Sequence, residues 1–527
     1  MATTSTLETE LARPPLRRSR TVATRGPERE RVLNLLAVAL PALLGLGLCL
    51  YQLTTRSLWL DESATVSIAS QHGAAFGHAL ARDGGNMLAY YALLHVLIGW
   101  FGASPFVIRF PSAIFAGAAV AATALLALRL FGRRTAVLAG TLTAVSLSLV
   151  YWGQDARGYA PMVTLIAGSF LAFVALLERG AGWRPWVAYV VLMTAAIYTG
   201  LEAVLVIPAQ LVILGWRRER GPRALGAVVL IAALCVPLAV LAAERGSGQL
   251  FWVPPLSYRI LRQVVQSLTS AGLQPEFYTS TSTALLVLTL VLVVAGAARA
   301  ITLATRVGTR AVAGPALVLS WLLVPALVAA LETSVGQSIF QARYLLVSLP
   351  AVSLLVAWTL ADAAVPMPLM LIGATAVITL RALQLTPAYG VSSENWRGAT
   401  AYLVDHTRPT DCVAFYPLDN RQAVRYYLAS PRAAPRPILP TLSWRQIRPF
   451  VEEYASLSSS TVSRLPRTCG RVWLVASHEG VVGGPPASQI NYRRFVRLTS
   501  ELKRLYPMQR SSDFGAKGVV TVTLYAR

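Results

Sequence analysis

Two adjacent carboxylates, Asp61 and Glu62, follow closely on the first long apolar segment of the chain. Carboxylates at the edge of a membrane are costly unless they have cationic partners or a chemical task. Two tasks suit them: a carboxylate can act as a general base on a hydroxyl group, and it can bind a hard divalent cation. Asp61 and Glu62 are therefore the first candidates for a catalytic centre.

Further polar residues fall near the ends of apolar segments, where turns are expected. They are Arg109, Asp155, Arg157, Glu202, Arg343 and Tyr344. Arginine is suited to binding a phosphate through two parallel hydrogen bonds. A site at the membrane surface that combines a carboxylate base with such arginines matches transfer of a sugar from a polyprenyl-phosphate carrier. The carboxylate would activate an acceptor hydroxyl, and the guanidinium group would stabilise the leaving phosphate.

The composition places these residues in a membrane protein. Hydrophobic residues make up 55% of the 527 positions and charged residues 13%, which is more apolar side chain than a water-soluble chain of this length could bury. The formal net charge of +23 comes mainly from arginines that flank apolar segments, where basic residues set orientation and contact anionic lipid. It therefore does not indicate nucleic-acid binding. The scarcity of lysine is typical of a GC-rich bacterial genome, and we expect a bacterial plasma membrane.

The apolar segments predict about eleven membrane spans. They are 32–53, 106–130, 136–152, 159–177, 186–199, 201–214, 224–243, 283–298, 313–331, 345–360 and 366–378. Seven arginines precede the first span, which predicts a cytoplasmic amino terminus and an extracytoplasmic Asp61. The apolar segment 87–101 is too short to span and is predicted to lie at the outer interface, because Arg133 and Arg134 then fall inside.

Three regions follow from this pattern. Residues 1–31 are polar and arginine-rich, which predicts a disordered cytoplasmic tail, and residues 32–387 form the transmembrane domain. Residues 388–527 have the composition of a small extracytoplasmic α/β domain. Its helices are predicted at 395–406, 420–429 and 445–457, and its strands at 412–416, 471–476 and 518–525. Cys412 and Cys469 fall in this domain, and the sequence leaves open whether they form a disulfide.

An ordered set of motifs resembles a known family. The motifs are Leu58-Trp59-Leu60-Asp61-Glu62, Tyr90-Tyr91 with Leu93-Leu94-His95, Arg109-Phe110-Pro111-Ser112-Ala113, Phe131-Gly132-Arg133-Arg134, Gln154-Asp155-Ala156-Arg157-Gly158-Tyr159 and Arg343-Tyr344-Leu345-Leu346. The chain resembles the C-type (GT-C) glycosyltransferases in these motifs. Within that group it is most similar to the bacterial branch that contains the RgtA/B/C/D-like enzymes, the protein mannosyltransferases and the aminoarabinose transferase of lipid A.

The resemblance implies an inverting transferase with Asp61 as general base and Glu62 beside it. The implied donor or phosphate contacts are Asp155, Arg157, Arg343, Tyr344 and Arg109, and the implied acceptor or supporting residues are Tyr90, Tyr91 and Glu202. The implied partners are a polyprenyl-phosphate-linked hexose or pentose, the lipid bilayer and a glycan, lipid or protein acceptor. A divalent cation (Mg, Mn or Ca) on Asp61 and Asp155 stays open.

Structural roles compete with these assignments. Asp61 could cap a helix, and Asp155 with Arg157 could form a local ion pair in a turn. Arg109 and Arg343 could reach toward lipid head groups. The tryptophans Trp59, Trp100 and Trp152 are interpreted as interfacial anchors.

Two other classes of function also stay open. A transporter or flippase would carry charged or broken helices near the middle of the bilayer and internal repeats, whereas the unusual charges here lie near predicted outer helix ends. A non-catalytic envelope scaffold would not need so many spans. No glycine-rich phosphate loop follows a predicted strand and no His/Cys cluster occurs, so nucleotide and zinc binding have no support.

Overall fold

The computed structural model describes residues 27–178, 182–216, 221–246, 250, 253–273, 277–308, 312–362, 364–408, 410–428, 436–437, 459–516 and 519–527. Most of the predicted tail and the helix predicted at 445–457 lie outside these residues. The first helix begins at Pro27 and therefore includes the last residues of the region assigned to the tail.

Helices dominate the chain up to residue 390. They are α1 (Pro27–Leu50), α2 (Leu60–Ala69), α3 (Ala74–Arg82), α4 (Leu88–Phe101), α5 (Pro105–Phe131), α6 (Arg133–Ala144), α7 (Leu147–Gly153), α8 (Tyr159–Leu176), α9 (Trp183–Thr199), α10 (Ile207–Trp216), α11 (Gly221–Leu234), α12 (Val236–Arg245), α13 (Tyr258–Thr269), α14 (Ser282–Val307), α15 (Ala313–Val335), α16 (Leu349–Leu360) and α17 (Met367–Gly390). Short 3-10 helices at Leu201–Val206 and Leu345–Ser348 precede α10 and α16.

Six of the described helices, α1, α5, α8, α14, α15 and α17, are long and apolar enough to cross a membrane. The bent pairs α6–α7 and α11–α12 raise the number to eight if each pair is one span. The chain is therefore a multi-pass membrane protein. Every segment predicted to span contains a helix. Three of them are not counted among the eight: α9 has 17 residues, and Leu201–Gly215 and Leu345–Leu360 are shorter apolar helices, so the number eleven stays a prediction.

The span predicted over 136–152 is broken rather than straight. Its two halves, α6 and α7, meet at an angle of 57°. The break frees carbonyl groups that a membrane interior cannot solvate. The buried Arg381 of α17 donates a hydrogen bond to the Leu142 carbonyl at this point, and the hydroxyl of Ser146 is hydrogen-bonded to that of Ser270. Side chains from distant segments thus provide hydrogen-bond partners for the Leu142 carbonyl and the Ser146 hydroxyl at the break.

The first loop, between α1 and α5, carries the three short helices α2, α3 and α4. Helix α4 has 14 residues, fewer than the roughly 20 that a membrane span needs. Its Tyr90, Tyr91 and Leu94 are buried against the protein, whereas Trp100 is 74% exposed at the other end. These features agree with an interfacial helix, and its position relative to a bilayer stays a prediction.

Beyond α17 lies the small α/β domain. Its elements are α18 (Trp396–His406), β1 (Cys412–Tyr416), α19 (Asn420–Tyr427), β2 (Arg436–Pro437), α20 (Ser459–Thr468), β3 (Arg471–Ser477), α21 (Pro486–Leu505), β4 (Met508–Phe514) and β5 (Val520–Ala526). The strand order is β2-β1-β3-β5-β4, with β1 parallel to β2 and β3, and β5 antiparallel to β3 and β4. Helices α20 and α21 and strands β2 and β4 were not expected from the sequence. A disulfide joins Cys412 to Cys469.

The α/β domain rests on the first loop through hydrogen bonds to main-chain groups. The Tyr427 hydroxyl accepts from the Leu58 amide at 2.7 Å. The Arg397 guanidinium donates to the carbonyls of Thr54 and Thr55. The loop that carries Asp61 is therefore held between the membrane helices and this domain.

Candidate active site

A cavity of about 1100 Å³ lies between the first loop, the ends of the membrane helices and the α/β domain. Its walls include the predicted residues Asp61, Glu62, Arg109, Asp155, Arg157, Glu202, Arg343 and Tyr344, and they also include Asp83, Glu394, Asp419, His478 and Glu479. The motifs that the sequence spreads over some 280 positions thus converge on one site.

Asp61 is the second residue of α2 and directs its carboxylate between two arginines. Its Oδ2 lies 3.3 Å from Nη1 of Arg343 and 3.8 Å from Nη2 of Arg157. The Asp61 side chain is 34% exposed, more than either arginine. The arrangement offers one accessible carboxylate beside two guanidinium groups, which can stabilise an anionic ligand.

Glu62, the neighbour of Asp61, faces the opposite direction and is buried against Arg109. The two side chains form a bidentate pair, with Nε to Oε1 at 2.7 Å and Nη2 to Oε2 at 2.6 Å. Glu62 also accepts from the amides of Trp59 and Ala156. Burial alone would raise the pKa of Glu62, but the charge of Arg109 and these hydrogen bonds outweigh it and hold the pKa below its ordinary value. Glu62 is therefore a buried, ionised carboxylate that fixes the position of the Arg109 guanidinium.

Arg109 uses its remaining donors on the chain just before α2. It donates to the carbonyls of Leu53, Arg56 and Ser57. With the two contacts to Glu62, all five N–H groups of the guanidinium are engaged. The geometry thus assigns Arg109 to shaping the first loop, and it leaves no donor for the phosphate contact implied by the resemblance.

Asp155 is buried next to Glu62 and accepts a hydrogen bond from the Trp59 indole at 2.8 Å. Burial raises the pKa of Asp155 well above its ordinary value, and the negative charge of Glu62 raises it further. The Asp155 carboxyl links Trp59 to the Glu62–Arg109 pair.

Arg157 connects Asp61 to Tyr91, which the resemblance implied, and through it to Asp83, which the sequence did not single out. Its Nη1 donates to the Tyr91 hydroxyl at 3.0 Å. The same hydroxyl is hydrogen-bonded to Asp83, which is 4% exposed. Burial raises the pKa of Asp83 to about 7, although Arg157 and Tyr91 lower it. A continuous network therefore runs from Asp83 through Tyr91 and Arg157 to Asp61.

In the sequence Asp83 directly precedes Gly84 and Gly85, a pattern typical of a turn. The structure has a turn here, in which Gly85 has a φ of +71°. A Cβ at Gly85 would approach Leu238 of α12 to 2.6 Å, so the turn must pack closely on that helix. The sequence signal for Asp83 was an acidic residue beside two glycines. This pattern is also typical of an ordinary turn, so it did not identify Asp83 as part of a functional site.

The remaining predicted residues divide between the cavity and its support. Arg343 packs near the rings of Trp59 and Tyr344, and Glu202 lies close enough to Arg343 to interact with its charge. Tyr90, by contrast, is buried behind the cavity, where its hydroxyl is hydrogen-bonded to the Ile108 carbonyl and to Ser112. Tyr90 therefore supports the packing of α4 on α5.

Two of the three tryptophans that were interpreted as membrane anchors face the cavity instead. Trp59 and Trp152 line the cavity, with ring centroids 6.1 Å apart. Their interpretation as anchors was wrong, because position near a span end does not distinguish a ring facing lipid from one facing an internal cavity.

Within the part of the chain that the structure describes, no three His, Cys, Asp or Glu side chains cluster closely enough to hold a metal ion. The carboxylate of Asp61 is paired with arginines, and that of Asp155 faces Trp59 and Glu62. These two residues, the ligands suggested by the sequence, do not form a common ligand set.

Comparison with known proteins agrees with this architecture. The family model described as dolichyl-phosphate-mannose-protein mannosyltransferase matches residues 85–242. No curated protein matches the sequence. Among solved structures, apo ArnT from Cupriavidus metallidurans is similar with a TM-score of 0.53 and 14% identity, over 94% of this chain and 98% of that chain.

Two further structures are similar in fold and contain lipid phosphates. ArnT from Cupriavidus metallidurans bound to undecaprenyl phosphate has a TM-score of 0.51 and 13% identity, over 92% of this chain and 97% of that chain. The oligosaccharyltransferase AglB from Archaeoglobus fulgidus was solved in complex with an inhibitory peptide and a dolichol-phosphate. It has a TM-score of 0.51 and 13% identity, over 85% of this chain and 70% of that chain. These matches confirm the resemblance stated from the motifs: the chain has the GT-C fold of membrane glycosyltransferases.

Proposed function

We propose that the chain is an inverting glycosyltransferase that moves a hexose or pentose from a polyprenyl-phosphate-linked donor to a cell-envelope acceptor. The observation that carries the proposal is the accessible carboxylate of Asp61 between the guanidinium groups of Arg157 and Arg343. Lipid phosphates bound to ArnT and AglB, which share the fold, support a donor of this class. The acceptor is a glycan, a lipid or a protein.

Asp61 serves as general base in this reaction. It takes the proton of the acceptor hydroxyl while the hydroxyl oxygen attacks the anomeric carbon of the donor sugar. The bond from that carbon to the phosphate oxygen breaks, and the electron pair leaves with the polyprenyl phosphate. Attack opposite the leaving group inverts the anomeric centre.

Arg157 and Arg343 stabilise the negative charge that develops on the leaving phosphate. Before the donor binds, both interact with Asp61. A bound phosphate competes for the same guanidinium groups and so releases the carboxylate toward the acceptor. Tyr344 and Glu202, which line the cavity beside Arg343, are positioned to contact the sugar or the acceptor.

The cavity lies outside the cytoplasm in this proposal, at a bacterial plasma membrane. The amino terminus is cytoplasmic, and residues 388–527 form the extracytoplasmic domain. The disulfide between Cys412 and Cys469 supports this orientation, because structural disulfides persist in oxidising compartments.

The test is transfer of labelled sugar from a panel of polyprenyl-phosphate donors to envelope fractions, with the purified protein in liposomes. We expect the parent to transfer and Asp61→Asn to be slower by about 100-fold or more, the usual range for loss of a general base. Asp362→Asn is a matched control, because Asp362 pairs with Arg299 and is not among the residues that line the cavity.

Equal transfer by the parent and Asp61→Asn would remove Asp61 as the base. No transfer with any donor would return the protein to the transporter or scaffold classes. Loss in Asp362→Asn as well would show that the loss is not specific to the site.

A further inference from the structure

A buried glutamate at the start of the α/β domain, between α17 and α18, reaches the helix that carries Asp61. Glu394 is 4% exposed, and its Oε2 accepts from the Leu60 amide at 2.8 Å. Leu60 is the first residue of α2 and precedes Asp61 directly. The contact joins positions 334 residues apart, so the local sequence around Asp61 gives no sign of it.

The start of α2 depends on side-chain acceptors. The first amides of a helix have no partner within it, and the residue before the helix, Trp59, has a side chain that can only donate. Two carboxylates supply the missing acceptors: Glu62 accepts from the Trp59 amide at 3.3 Å, and Glu394 accepts from the Leu60 amide. Negative charge at this end also interacts favourably with the helix dipole.

Glu394 is itself held in place by the α/β domain. The indole of Trp396 donates to the same Oε2 at 2.6 Å. The Nε2 of His478, in the turn after β3, lies 3.4 Å from Oε1. The carboxylate is therefore fixed on one side by this domain and on the other by the first residue of α2.

We propose that Glu394 is a positioning residue for Asp61. By fixing the start of the ten-residue helix α2, it sets the direction in which the Asp61 carboxylate enters the cavity between the two arginines. The inference rests on the proposed function, in which Asp61 is the base. It assigns the α/β domain a part in the geometry of the active site, which nothing in the motifs indicates.

Glu394→Ala removes the acceptor, and we expect kcat to fall about 10- to 100-fold, the scale of one charge-assisted hydrogen bond. The donor KM should change less than about threefold, because Arg157 and Arg343 still bind the phosphate. In Glu394→Gln one carbonyl oxygen can accept from both Leu60 and Trp396, so we expect a loss below about fivefold.

Glu332→Ala and Glu332→Gln are the matched controls. Glu332 accepts from the Gln337 amide at 3.2 Å, outside the set of residues that line the cavity. All variants are compared as monodisperse protein in liposomes. Hydrogen–deuterium exchange of the peptide covering 58–66 adds a readout that does not depend on catalysis, and we expect faster exchange in Glu394→Ala and near-parent exchange in Glu394→Gln.

Three results would overturn the positioning role: parent kcat in Glu394→Ala, equal loss in Glu394→Ala and Glu394→Gln, or a loss confined to KM. Asp61→Asn in the same assay separates this proposal from the proposed function. A parent-like rate in Asp61→Asn refutes the base itself. A parent-like rate in Glu394→Ala beside a slow Asp61→Asn refutes only the positioning.

Discussion

Replacing Asp83 by Asn should stabilise the folded protein strongly at pH 8 and by less than half as much at pH 5. Asp83 lies in the turn before α4, where burial raises its pKa from an ordinary 3.8 to about 7. The folded state therefore binds this proton more tightly than the unfolded chain does. The contribution of Asp83 to stability is complete below about pH 4 and is lost as the pH rises through about 7.

The difference between a pKa of 3.8 and one of about 7 corresponds to about 4 kcal/mol of folding free energy at alkaline pH. Asn keeps a carbonyl that can accept from Tyr91 and does not ionise, so the variant avoids this cost. At pH 5 the Asp83 carboxyl is protonated in the folded state but largely ionised in the unfolded chain, so about 2 kcal/mol of the difference remains.

Thermal unfolding in detergent micelles at several pH values between 5 and 8 measures the effect through tryptophan fluorescence. The quantity of interest is the difference in melting temperature between Asp83→Asn and the parent, because every other titratable group is common to both. Asp405→Asn, an exposed position on α18, is the control and should follow the parent. Parallel pH curves for Asp83→Asn and the parent would refute the reasoning, as would a variant less stable than the parent at pH 8.

Three further predictions concern the Glu62–Arg109 ion pair, the proposed phosphate contact of Arg343 and the disulfide between Cys412 and Cys469. Arg109→Met leaves the Glu62 carboxylate buried without its cation, so the free energy of unfolding should fall by about 3–5 kcal/mol in chemical denaturation; an unchanged midpoint would contradict the pairing. Arg343→Gln should raise the donor KM and lower kcat/KM by about 10- to 100-fold in the transfer assay, whereas a change in acceptor KM alone would contradict a phosphate role. The double change Cys412→Ser and Cys469→Ser should destabilise the α/β domain by about 2–4 kcal/mol, and reductant should lower the melting temperature of the parent but not of the variant.

The residues facing the cavity were largely predictable from the sequence, because chemistry at a membrane surface leaves charged residues in otherwise apolar surroundings. Asp61, Arg157 and Arg343 were singled out in this way, and the structure brings them together. The partners of these residues were not predictable. The pairs Glu62–Arg109 and Glu394–Leu60 join positions 47 and 334 apart, and hydropathy reports that a residue is buried without reporting what it touches.

The same limit applies to the fold. Apolar length predicted where helices run, and each predicted segment contains one. The bend between α6 and α7 was missed because its stability depends on Arg381, which lies 239 positions from the Leu142 carbonyl it satisfies. A sequence window that covers one helix contains no trace of a compensating group on another.

The contacts between the α/β domain and the first loop have a consequence for how this protein tolerates change. Arg397, Tyr427 and Glu394 all bind main-chain groups of the loop. A residue keeps its main-chain groups when its side chain changes. Substitutions in the loop can therefore leave these hydrogen bonds, and the path of the backbone, unchanged. A chimera that exchanges this domain for that of a relative should keep the loop in place only if it carries equivalents of these three side chains.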